Sequence, residues 1–264
     1  MSRMPIYLCL LLLLVPATAA RARMDLELSP IRAELQIDAG VAETNVVQVR
    51  NVGDQPVRVR AYLQDWTLGR QGEPQFCRSG TQRKSLAPWL EINPTDFQIR
   101  PGQTGEIRYT ITVPPGAASG TYWTALMVEG MPALAGPPSP KRMALLGRFA
   151  VMLYETVGRP EIKAQFQDFQ VTPGRHKLTF SLSLANAGQG HIRPRRSKIL
   201  LRNQQGQEVA QVEIPDAPVL PGSSREIIWD QEIKLPPGQY LAEARLDIGR
   251  RDILVRQQSF QVTR

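Results

Sequence analysis

His176 and His191 are the only histidines of the chain, and neither has a partner at metal-ligand spacing. Both read as solvated loop residues. A catalytic triad would need one of them beside a nucleophile and an acid, yet no Gly-x-Ser-x-Gly or related signature is present. Asp65 and Glu91 are of the type that forms a glycosidase pair, but nothing in their spacing sets them face to face. The Gly-x-Gly of Gly188 to Gly190 leads into no helical pattern and so makes no phosphate loop. Cys77 lies in a polar stretch, Gln71 to Lys84, without an activating neighbourhood. The chemistry that remains is that of binding: no enzyme, no metal and no cofactor is expected.

The elements that position these residues are strands. Ile107, Tyr109, Ile111 and Val113 alternate with Arg108, Thr110 and Thr112, a period of two that buries one face and wets the other. Pro101-Gly102 precedes this run and Pro114-Pro115-Gly116 follows it, because proline presets φ and glycine accepts positive φ without penalty. Tyr122 opens the next strand, where Ig-like sandwiches keep a tyrosine bonded back to the corner backbone. The same order recurs from Pro221 to Ala244, with Tyr240 in the place of Tyr122. Asn51-Val52-Gly53 and Asn186-Ala187-Gly188 are a second echo, each ending an apolar strand.

This repetition predicts an all-β chain of two tandem Ig-like β-sandwich domains, residues 24–156 and 160–264, joined through Thr156 to Glu161. Seven strands are expected in the first: Leu26 to Leu35, Thr44 to Asn51, Val57 to Asp65, Trp89 to Pro94, Glu106 to Val113, Gly120 to Glu129 and Met143 to Tyr154. In the second they are expected near Ile162 to Val171, Lys177 to Asn186, Lys198 to Arg202, Glu208 to Val212, Arg225 to Ile233, Tyr240 to Asp247 and Asp252 to Val262. Trp66 and Trp89 read as core packing.

Arg3, an apolar run from Ile6 to Val15 and small residues at Ala17-Thr18-Ala19 predict a signal peptide, residues 1–20, that is cleaved on export. The run is shorter than the roughly 20 apolar residues of a spanning helix. Only Cys77 would survive cleavage, so the cores must hold by packing without a disulfide. The formal net charge of +8 invites comparison with nucleic-acid binders, and His191-Ile192-Arg193-Pro194-Arg195-Arg196 is the densest basic cluster. No aromatics interleave with these arginines, and an exported protein rarely meets nucleic acid, so the cluster reads as a solvated loop.

Gly130 to Arg142 is a loop rich in Pro, Gly and Ala, and the run after it is the most apolar of the mature chain. Met143, Leu145, Phe149, Val151 and Leu153 occupy one face of that strand, and Ala144, Leu146, Ala150, Met152 and Tyr154 the other. Both faces are greasy, as in a strand buried on both sides or one that lends a row of side chains to a partner.

With LSPIRAEL at 28–35, the Asn51-x-Gly53 turn, PWLEINPTDFQIRPGQTGEIR at 88–108, GTYW at 120–123 and RFAVMLYE at 148–155, the chain resembles the PapD-like periplasmic chaperones of pilus and fimbria assembly. The resemblance implies localisation in the periplasm and partnership with pilus or fimbrial subunits and an outer-membrane usher. It implies donor-strand complementation, in which the seventh strand of the first domain, through Met143, Leu145, Leu146, Phe149, Val151 and Leu153, completes a subunit that lacks a strand. It further implies that an arginine on the first strand, here Arg32, and a lysine on the seventh hold the client's terminal carboxylate. That lysine is missing. Its position aligns with Val151, and the nearest basic residue, Arg148, lies three residues away on the other face of a regular strand; a bulge or a one-residue slip would bring Arg148 into place beside Arg32 as the second carboxylate-binding residue. The rival expectation is an Ig-like scaffold or adhesion protein of the cell envelope.

Overall fold

The structure, a computed structural model, describes residues 26–132, 147–249 and 253–263. The signal peptide, most of the Pro/Gly/Ala-rich loop and Met143, Leu145 and Leu146 lie outside the described residues. The chain is all-β, in two sandwiches. The first is built from β1 (Leu26–Ser29), β2 (Arg32–Leu35), β3 (Ala42–Asn51), β4 (Val57–Leu68), β5 (Pro74–Arg78), β6 (Leu90–Asn93), β7 (Asp96–Ile99), β8 (Thr104–Thr112), β9 (Gly120–Pro132) and β10 (Gly147–Val157). One sheet has the order β1-β3-β8-β6 and the other β2-β10-β9-β4-β5, with β7 also on β4.

The first predicted strand is two. Pro30 has no N–H to give a ladder, and on either side of it the chain joins different sheets: β1 runs antiparallel to β3, and β2 parallel to β10. Two further strands, β5 and β7, escape the sequence reading. Each is short and polar, and each is held as an edge against the two ends of the long β4. Cys77 therefore sits on a strand, where Gln82 donates to its Sγ.

The second sandwich packs β11 (Ala164–Pro173), β12 (Leu178–Asn186) and β15 (Ser224–Gln231) against β13 (Lys198–Asn203), β14 (Glu208–Glu213), β16 (Gly238–Asp247) and β17 (Ile253–Val262). Its core gathers Phe180, Leu182, Leu184, Ile199, Leu201 and Leu246, while the first is filled by Val47, Val49, Ile107, Ile111, Leu126 and Leu153. A third cluster, Trp66, Trp123, Met127, Tyr154 and Leu220, joins the two sandwiches. Alternation explains all three: each strand sends every second apolar side chain to one face.

The internal repeat is a repeat of bonds. Tyr122 donates to the Ala118 carbonyl at 3.0 Å and Tyr240 to the Pro236 carbonyl at 2.8 Å. The Asn51 side-chain oxygen accepts the Gly53 N–H and that of Asn186 accepts the Gly188 N–H. Each asparagine carbonyl also takes the N–H of the glycine in a Pro-Gly turn, Gly102 or Gly222, both with φ near +73°. Left-handed backbone of this kind favours glycine. We expect Tyr122→Phe and Tyr240→Phe each to cost about 1 kcal/mol, read as a lower urea midpoint at constant slope.

Candidate functional site

The β10 strand lies at the centre of the candidate site. Its whole length pairs with β9 in regular antiparallel register, from Gly147 opposite Gly130 to Val157 opposite Gly120. On its other side β2 covers only Met152 to Glu155. The Met152 N–H donates to the Ile31 carbonyl, so even-numbered residues turn their backbone groups toward β2 and, further up the strand, toward an edge that no described strand covers. The N–H and C=O of Arg148 and Ala150 lie along that open edge. Ile31, 70% exposed, and Phe149, 37% exposed, flank it.

The two faces of β10 have separate duties. Val151 and Leu153 are completely buried in the core of their own sandwich, so they are not a row free to be lent. Phe149, partly exposed, is the one residue of the expected donor row that stays accessible among those described. On the other face Ala150, Met152 and Tyr154 pack into the cluster shared with the second sandwich.

The two arginines expected to act together are apart. Arg32 is opposite Met152, which makes Met152, not Val151, the β10 neighbour on the face of Arg32; Val151 points into the core. With the β9 ladder regular, no bulge or slip moves Arg148 to Arg32. It shares that face but stands four residues up the strand, about 13 Å away at the rise of an extended chain. There it donates to Glu129 at 2.9 Å, and Glu129 also accepts from the Tyr62 hydroxyl at 2.5 Å.

What surrounds Arg32 comes from the other sandwich. The basic loop read as solvated is docked. Ile192 is fully buried and pairs with Val219, which sets His191 and Arg193 against the first sandwich. The His191 ring stacks on Tyr154, centroids 5.2 Å apart, and its Nδ1 is 3.2 Å from the Thr121 hydroxyl. Arg193 donates to both Glu34 and Asp216, and Arg195 reaches Glu34 at 2.5 Å. Arg32 keeps a long contact of 3.8 Å with Asp216 and lies 6.0 Å from the centre of the Tyr154 ring. Arg225 donates to the Pro218 carbonyl at 2.9 Å, and its Nε is buried without a partner.

Burial pushes the Tyr154 phenol up to about 12, against the lowering pull of Arg32. Burial likewise depresses His191, which Glu34 partly offsets, and lowers Arg193 and Arg225. Arg32, Arg193, Arg195 and Arg225 outnumber Glu34, Asp216 and the Glu73 that acts on Arg225, so the cleft favours an added anion, and a guanidinium fork suits a carboxylate. Sequence reading found Arg32 and missed the other three. The signal was Ile192, an apolar residue inside a basic loop.

Asp65 and Glu91 form no catalytic pair. Asp65 is fully buried on β4, where it accepts the N–H groups of Thr81 and Gln82 and the hydroxyls of Ser85 and Thr124. Glu91 lies exposed on β6, in the opposite sheet. Among the described residues no helix is long and apolar enough to cross a membrane.

No protein-family model matches the chain, and no curated protein matches it in sequence. Among solved structures it is similar to the class 5 fimbriae chaperone CfaA, at 11% identity and a TM-score of 0.48, covering 89% of this chain and 99% of that one. It is similar to the CsuC–CsuE chaperone–tip adhesion subunit pre-assembly complex from archaic chaperone-usher Csu pili of Acinetobacter baumannii, at 15% identity and a TM-score of 0.45, covering 90% and 98%. The E. coli chaperone DraB is a third, at 18% identity and a TM-score of 0.40, covering 92% and 98%. Each likeness runs over nearly the full length of the other chain, and each is to a chaperone.

Proposed function

We propose that the chain is a periplasmic chaperone of pilus or fimbrial subunits, a binding protein and not an enzyme, exported by its signal peptide. The observation that carries this reading is the β10 edge at Arg148 and Ala150, which no described strand covers, continuous with a cleft rich in guanidinium groups at Arg32. An open edge is a template for another strand. A client strand adding there would gain ladder hydrogen bonds, and its terminal carboxylate would reach Arg32. On this reading the row lent to the client includes Phe149 at the start of β10, and Met143, Leu145 and Leu146, which lie outside the described residues, are proposed to continue it. Residues 24–156 form the domain that donates and 160–264 the domain that closes the cleft. The complex would be handed to an outer-membrane usher for assembly.

Co-expression with a strand-deficient Ig-like subunit tests this reading. A stable pair should co-purify from the periplasm, Arg32→Ala should weaken it about tenfold or more while the fold persists, and charges at Leu145 and Leu146 should abolish it. Recovery of this protein folded and alone, beside a degraded subunit, would favour the envelope scaffold.

A further inference from the structure

On another face of the interdomain junction lies a cleft of about 340 Å³ with walls from both sandwiches. The first sandwich contributes Thr67, Gln82, Arg83 and Lys84, and the second the two turns that the internal repeat built, at Gly188-Gln189 and Gly222-Ser223. Lys84 is held by its backbone: its carbonyl accepts the Trp123 N–H, and two residues on Leu86 donates back to the Trp123 carbonyl. Asp65 fixes the approach to it by accepting from Thr81, Gln82 and Ser85.

The Lys84 ammonium is 4.4 Å above the Tyr122 ring. It packs so close to Gly120 that a Cβ built there would stand 2.5 Å from its Nζ. Burial and the neighbouring Arg83 charge both work against its protonated form, and no carboxylate of the described residues counters them. No acidic residue lines the cleft. Lys84 is thus partly buried beside the exposed Arg83 on the wall of the cleft, with the Tyr122 ring against its ammonium, and an aromatic face is a weak counter-charge.

We infer that this cleft binds a small oxyanion, a phosphate or carboxylate group, held by Lys84 and Arg83 against the turns of the second sandwich. The guanidinium supplies a bidentate fork and the ammonium a point charge. Because the walls belong to both sandwiches, an occupant ties them together. The inference stands apart from the chaperone reading.

The test is a titration of the full mature chain, with inorganic phosphate in one arm and succinate in the other, followed by backbone amide NMR. The expected result is a saturable shift of the amides of Gly188, Gln189, Gly222 and Ser223 with at least one anion, weakened about tenfold or more by Lys84→Met with Arg83→Gln and retained in Arg32→Ala. Response to phosphate alone or to succinate alone assigns the anion. Absence of a saturable shift in both arms, or shifts confined to Arg193 and Arg225 that vanish in Arg32→Ala, would overturn it. Should the double variant fail to fold, the map of shifts on the unaltered protein decides.

Discussion

Asp65→Ala is expected to destabilise the first sandwich by about 3 to 5 kcal/mol, because the Thr81 and Gln82 amides and the Ser85 hydroxyl lose their buried acceptor at once. Asp65 is completely buried and its two oxygens serve Thr81, Gln82, Ser85 and Thr124 at 2.7 to 3.3 Å. Thr124 keeps the Gln64 carbonyl at 3.0 Å as its acceptor, while water would have to enter to satisfy the other three donors. Asp65→Asn keeps the shape and one carbonyl oxygen but turns an NH2 toward groups that also donate, so it should cost about 2 kcal/mol. Urea unfolding measures both, and exchange of the Thr81 and Gln82 amides should quicken in each. A loss below about 1 kcal/mol for Asp65→Ala would contradict the assigned role.

The second large effect is on pH. Glu155 is buried on β10, where its Oε1 accepts the Ile37 N–H at 2.7 Å and its Oε2 meets no donor. Burial pushes its carboxyl up from 4.5 to about 7; the Ile37 hydrogen bond opposes the rise and Glu43 adds to it. Below 4.5 the group is protonated in folded and unfolded chain alike and stability is unaffected. Between 4.5 and about 7 the unfolded chain releases its proton while the folded one holds it, so stability falls as pH rises, then levels off. The fall should approach about 3 kcal/mol. Glu155→Gln should remove it and leave the variant the more stable at neutral and alkaline pH. His191 acts in the opposite sense, since its depressed value costs stability as pH falls through the ordinary histidine range, so the difference between variant and unaltered protein isolates Glu155. An unchanged pH profile in Glu155→Gln would place the dependence elsewhere.

The positions of most strands, the corner tyrosines and the Asn-x-Gly turns were legible because each is a local pattern: a period of two, a proline beside a glycine, an amide side chain two residues before the N–H it caps. Tyr122 and Tyr240 make their bonds four residues back, well inside the reach of a motif. The cleft was not legible in this way. Arg193 meets Glu34 across 159 residues of sequence, and nothing local distinguishes that arginine from a solvated one except the apolar Ile192 beside it. The strands β5 and β7 were missed for a related reason. PQFCR and DFQI have too few apolar positions to show a period, and they are strands because β4 is long enough to offer them an edge. Arg148 and Val151 show the limit of alignment by motif. A one-residue difference in register exchanges core for surface, and only the ladder with β9 says which residue faces which way.

The central claim, that β10 pairs with a client strand along its open edge, is tested most directly by hydrogen exchange at the amides of Arg148 and Ala150, free and in complex with a strand-deficient subunit. The account predicts exchange that slows on binding at these two amides, with Val151 and Leu153, already bonded to β9, little changed. A complex that forms while Arg148 and Ala150 exchange as before would mean that the client is held elsewhere, and that β10 is an ordinary strand of a sandwich.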